Sequence, residues 1–106
     1  MNSQLLLSDF LAKGANLVGF LSVEKGETLI SQKLFDAITA FCEGLCSLQN
    51  PAYSKAEVAS LRKSASACCD RISMYLGALL SGGSISVAQK DSMLQSLDTL
   101  KKEFNI

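Results

Sequence analysis

The amino-acid sequence predicts an all-α fold, an up-down four-helix bundle in one domain spanning residues 1–106. Three observations carry that expectation. Apolar residues recur at helical period in four segments, capping sequences and a single proline mark the segment ends, and the connections are short enough to make successive helices antiparallel neighbours. The chain is 48% hydrophobic and only 19% charged, which excludes a disordered polymer. At 106 residues it is long enough to build a core without disulfides or metal.

The first helix, from about Ser3 to Ser22, has the weakest signal, because Gly14 and Gly19 each cost about 1 kcal/mol relative to alanine inside a helix. A β-hairpin running from "NLVGFLSV" through "EKG" to "ETLI" is the competing reading of that region. The second helix starts near Thr28, carries Ile30, Leu34, Ala37, Phe41, Leu45 and Leu48, and is stopped by Gln49-Asn50-Pro51. The third begins at Ser54-x-x-Glu57. At that spacing the serine hydroxyl caps a free backbone N–H while the glutamate reaches back to the serine's own N–H. It runs to about Ser81, roughly 40 Å at ~1.5 Å per residue. Its stripe is Val58, Leu61, Ala65, Cys68, Cys69, Ile72, Leu76 and Leu79. After the break "SGGSIS", the box Ser86-x-x-Gln89 opens a fourth helix from about Val87 to Phe104, striped by Val87, Met93, Leu94, Leu97, Leu100 and Phe104. Lys101 and Lys102 sit near its C-terminus, where the helix dipole favours positive charge.

The same residues argue against most chemistry. The chain has no histidine, so it lacks the commonest general base and metal ligand. Gly14 and Gly19 have the spacing of a phosphate-binding loop, but Phe20-Leu21 follows where lysine and serine or threonine are needed. Acidic residues are scattered, mostly beside lysine or arginine. The expectation is a protein that is not an enzyme and uses no cofactor. No basic region precedes the first apolar run, Asp9 interrupts it, and no uninterrupted apolar run approaches the ~18 residues of a membrane span. A cytoplasmic protein without a membrane partner is expected, its four cysteines reduced.

The stretch "KSASACC", Lys63 to Cys69, is the one place where a site is worth weighing. Cys42 and Cys46 share a face of the second helix, and antiparallel packing would bring them toward Cys68 and Cys69; four thiolates suit zinc, copper(I) or an iron–sulfur cluster. Against this, free cysteine packs as a small hydrophobe, Cys68 and Cys69 fall on the core stripe, and no C-x-x-C pair is present. Four reduced, buried, metal-free thiols are expected. The small residues raise a different possibility. Opposite the core stripe of the third helix lie Ala56, Ser60, Ala67, Met74 and Ala78, with Lys63 the only charge among them and Arg62, Asp70 and Arg71 on the flanks. An ordinary surface helix is charged there. Such a face serves close contact with another helix or another chain, or it is an exposed surface chosen for helix propensity alone.

The order of elements also resembles a family. The break at "EKGETL", a long helix, the connection "NPAYSKAE" and the segment "GGSISVAQKDSMLQSLDTLKKEF" are similar, over about Gly26 to Phe104, to the four-helix-bundle accessory proteins of diversity-generating retroelements. They are similar too to the related bundle proteins encoded in ribosomal RNA intervening sequences. The resemblance implies a ring-like homo-oligomer that associates with a reverse transcriptase and binds nucleic acid through a basic surface. Here ten Lys/Arg balance ten Asp/Glu, so only Lys55, Arg62, Lys63 and Arg71, with Lys101 and Lys102, stand in for that surface. The expected function is a non-enzymatic accessory or adaptor protein that binds a protein partner or itself, as a homo-oligomer. The alternatives are a nucleic-acid-binding subunit of a reverse-transcriptase complex and a small phage-type inhibitor.

Overall fold

The computed structural model describes residues 3–106 and contains four helices and, among these residues, no strand. They are α1 (Ser3–Glu24), α2 (Thr28–Leu48), α3 (Lys55–Ser81) and α4 (Val87–Phe104). The hairpin reading is excluded, since α1 continues two residues past Ser22 to Glu24 and α2 follows directly. The helices form a ring in which α1 and α3 each pack on both α2 and α4. Ser3 lies beside Glu103 and Lys13 beside Ser96, Phe10 meets Phe41, and Arg62 reaches Phe104 and Asn105.

Each helix end has an identifiable cause. Both serine capping boxes form: Ser54 accepts from the Glu57 N–H and Ser86 from the Gln89 N–H, while Glu57 and Gln89 accept in return from the N–H of each serine. At the end of α3, Gly83 adopts φ +76°, and the Ser84 and Gly83 N–H groups donate to the carbonyls of Leu79 and Leu80. That pair of bonds is the Schellman arrangement, which needs a left-handed residue and so favours glycine. Asn105 ends α4 in the same way at φ 57°. Between α2 and α3, Asn50 turns the chain by accepting from the Ala52 N–H across Pro51.

The core follows the striped positions with informative exceptions. Phe10, Leu21, Leu34, Ile38, Phe41, Leu45, Ile72 and Leu76 are fully buried. Phe10 and Phe41 meet edge to face, ring centroids 6.0 Å apart. Val87 is not a core residue but 60% exposed. It lies six residues before Met93, which places it about a third of a turn off the stripe, and Ile85 just before the Ser86 cap is buried instead. Val58 and Leu61, expected on the stripe, are only half-buried.

Among the described residues, α1 is the one helix whose length and apolar content would suffice to cross a membrane. Counting uninterrupted runs overlooks it, since Asp9 and Lys13 break the run without making the 22-residue helix polar. Its Leu7, Phe10, Leu17 and Leu21 belong to the bundle core.

The two glycines of α1 have opposite surroundings. A Cβ on Gly14 would lie 2.9 Å from Cδ1 and 3.3 Å from Cγ2 of Ile38, whereas a Cβ on Gly19 would meet nothing within 4 Å. Gly19→Ala is therefore expected to raise stability by about 0.5–1 kcal/mol through reduced unfolded-state entropy and better helix propensity. Gly14→Ala should give no gain, because about 1–3 kcal/mol of overpacking offsets it. Paired thermal melts read the difference, and equal stabilisation by both changes would show that α1 and α2 do not need residue 14 to lack a side chain.

Candidate functional site

Two surfaces merit attention: the cysteine region between α2, α3 and α4, and the outer face of α3. Cys42, Cys68 and Cys69 are buried, but Cys46 is exposed, which corrects the expectation of four buried thiols. Four residues advance a helix by 400°, so Cys46 lies about 40° further round α2 than Cys42, and Cys42 already flanks the core. Among the described residues no group of three or more acidic residues or cysteines is placed to hold a metal ion. Burial pushes the Cys42 thiol up to about 11, with Cys46 and Glu43 adding to the rise. Burial likewise pushes Cys69 up to about 11, opposed by Lys101 and assisted by Cys68 and Asp70. Arg71 places Nη2 3.2 Å from Cys68 Sγ. Thiols held in their neutral form are poor nucleophiles and poor ligands.

The clefts on the surface differ in character. The groove between α1 and α4 is lined by Leu17, Phe20, Met93, Asn16 and Gln89, with Lys13 its only charge, and Lys13 donates to Ser96 Oγ at 2.8 Å. A second, between α2 and α3, combines Lys33, Asp36, Arg71 and Tyr75 with alanines.

The outer face of α3 is laid out as its helical spacing predicts. Ala56, Ser60, Ala67, Met74 and Ala78 are all exposed, Met74 by 59%. With α2 on one flank and α4 on the other, no helix of the chain covers them. The possibility that this seam lies inside a single chain is thereby removed. Lys63 is not the only charge at this face: Asp70, expected on a flank, lies seven residues further on and so only about 20° round α3 from Lys63. Both are exposed, and neither makes a hydrogen bond or ion pair among the described residues.

The four basic residues of α3 do not form one surface. Lys55 and Lys63 are exposed. Arg62 turns to the α4 side, where Nη1 donates to the Phe104 and Asn105 carbonyls at 2.7 and 2.6 Å. Those carbonyls lack helical partners, so Arg62 serves as a cap donated from a neighbouring helix. Arg71 lies on the α2 side, and Lys101 is half-buried.

The outside of α1 presents a further face of small and apolar residues. Leu5, Ala12, Gly19 and Val23 are exposed along the outside of α1, Leu5 by 61% and Val23 by 81%. The seven-residue spacing of Leu5, Ala12 and Gly19 without a charge was the available signal. The chain matches no protein-family model, no curated protein and no solved structure.

The thiols lend themselves to two tests. A thiol-specific reagent should label one cysteine rapidly in the native protein and four after denaturation. Cys46→Ser should abolish the fast phase, and a fast phase that survives it would place another thiol at the surface. For Cys42 and Cys69 the folded-state value near 11 exceeds the ordinary 9.0. Folding therefore favours the protonated thiols, so their contribution is complete below about pH 9 and is lost as pH rises through about 11. The melting temperature should fall across that window, and Cys42→Ala and Cys69→Ala should each flatten the fall relative to their own value at pH 7.

Proposed function

We propose that the protein is a non-enzymatic, cytoplasmic accessory or adaptor protein, an up-down four-helix bundle that acts by binding a macromolecular partner and assembles as a homo-oligomer. The observation that carries this reading is the outer face of α3. The longest helix of the bundle presents Ala56, Ser60, Ala67, Met74 and Ala78 to solvent with Lys63 and Asp70 beside them, where the outer faces of α2 and α4 carry Lys33, Asp36, Glu43, Asp91, Asp98 and Lys102. Small side chains let two helix backbones approach closely, and low charge lowers the cost of dehydrating them.

Nucleic-acid binding in a retroelement-type complex is the weaker reading. Arg62 is committed to the end of α4, and the remaining exposed cations of α3, Lys55, Lys63 and Arg71, are set against a net charge of zero. Phosphate contacts would show as RNA or DNA affinity that falls steeply with salt.

Ala67 lies at the centre of the face, and its exposure in the single chain makes the test clean. Ala67→Leu and Ala67→Glu are expected to reduce the sedimenting mass of the assembly, Glu more than Leu, while the helical content and melting temperature of dilute protein stay within about 0.5 kcal/mol of wild type. Two variants with wild-type mass and wild-type partner retention would mean that the face is exposed in use as well.

A further inference from the structure

We propose that the outer face of α3 pairs with the same face of a second copy, the two helices antiparallel about a two-fold axis that passes beside Ala67. The proposal rests on the reading that this face is an interface, and names its occupant. Three features of the face point to self-pairing in that orientation. First, its residues are placed symmetrically. Ser60 and Met74 each lie seven residues from Ala67, and Ala56 and Ala78 each lie eleven. A two-fold axis at Ala67 therefore sets Ala67 against its own copy, Ser60 against the second copy's Met74, and Ala56 against its Ala78. Second, sizes complement one another in that register. The one large side chain, Met74, 59% exposed, meets the small Ser60, and alanine meets alanine elsewhere.

Third, the charges complement one another. Lys63 lies four residues before Ala67 and Asp70 three after it. Both are exposed and unpaired among the described residues. Two turns of helix, about 10.5 Å, separate them on one face, beyond the reach of an ion pair within the chain. Antiparallel pairing sets each Lys63 against the other copy's Asp70, twice over by symmetry. Parallel pairing would set lysine against lysine and aspartate against aspartate, which is repulsive. Nor would the outer face of α1 serve as partner in a head-to-tail contact, since Leu5, Ala12, Gly19 and Val23 offer no charge to Lys63 or Asp70. An isologous contact of this kind also closes on itself and leaves no open chain.

Charge reversal tests the pairing, because neither side chain contributes to the fold of the single chain. The wild type, Lys63→Glu, Asp70→Lys, the double reversal and an equimolar mixture of the two single reversals are compared by sedimentation equilibrium, with circular dichroism to confirm equal helical content. Each single reversal creates two like-charge contacts and is expected to raise the self-dissociation constant about tenfold or more. The double reversal restores complementary pairs within a homodimer. The mixture restores them in a heterodimer that joins one Lys63→Glu chain to one Asp70→Lys chain, where each contact again sets an acid against a base. Self-association of the wild type that neither single reversal weakens would overturn the antiparallel α3 pairing while leaving an oligomer through another surface. Weakening without rescue by the double reversal or the mixture would overturn the register. A wild type that stays monomeric up to millimolar concentration would overturn the second copy as occupant, whereas the Ala67 variants separately test whether the face binds a different partner.

Discussion

The closeness of α1 and α2 is the constraint on which the rest of this bundle depends. Phe10 and Phe41 meet edge to face at the centre of the core, and one turn further along α1 the Ile38 side chain occupies the space that a Cβ on residue 14 would need. Edge-to-face geometry holds only over a narrow range of centroid separations. A side chain at residue 14 would part the two helices and loosen the aromatic pair together with Leu34 and Leu45, which are packed with no exposure beside it. The helix-propensity cost of Gly14, about 1 kcal/mol, is small against the burial of two aromatic rings and their neighbours.

The seam between α3 and α4 is held differently. Here Arg62 bridges α3 to the terminal carbonyls of α4 and Ile106 packs back on the core after the left-handed turn at Asn105, while at the opposite end Ser84, between α3 and α4, donates to the half-buried Glu27 between α1 and α2. Charge-assisted bonds of this kind contribute more than neutral ones when partly shielded from water. The bundle thus combines apolar contact along all four helices with hydrogen-bonded clamps at their ends.

The sequence makes most of this architecture legible, and the physical reason is that caps are local. Ser54 with Glu57 and Ser86 with Gln89 specify helix starts through bonds spanning only three residues, and the starts of α3 and α4 follow from them. Whatever depends on two helices at once was less legible. Gly14 reads as a weakness of α1 until Ile38 is placed beside it. Arg62 reads as a surface cation until the C-terminus of α4 lies next to it. Cys46 and Val87 carry side chains common in cores, but each stands off its helix's stripe by an amount that only the packed orientation of the helix converts into exposure. The outer face of α3 was readable because it needs only one helix, whereas that of α1 went unnoticed beside the stronger core signal of Leu7, Phe10, Leu17 and Leu21.

What the arrangement achieves is a division of the outer surface by helix. Lys33, Asp36 and Glu43 on α2, and Asp91, Asp98 and Lys102 on α4, keep two sides of the ring hydrated, while the outward strips of α1 and α3 are built mainly of small and apolar residues, the charges Lys55, Glu57 and Arg71 of α3 lying away from Ala67. A large apolar patch would make the free chain prone to indiscriminate association. Alanine, serine and glycine avoid that, since each exposes little apolar area and costs little in water. The same residues permit a second helix to come near enough for many dispersion contacts, each individually weak. A face of this composition gives little energy to a misfitting partner and a useful amount to one that matches its relief. Specificity must then come from the few larger or charged groups upon it, and on α3 those are Met74, Lys63 and Asp70.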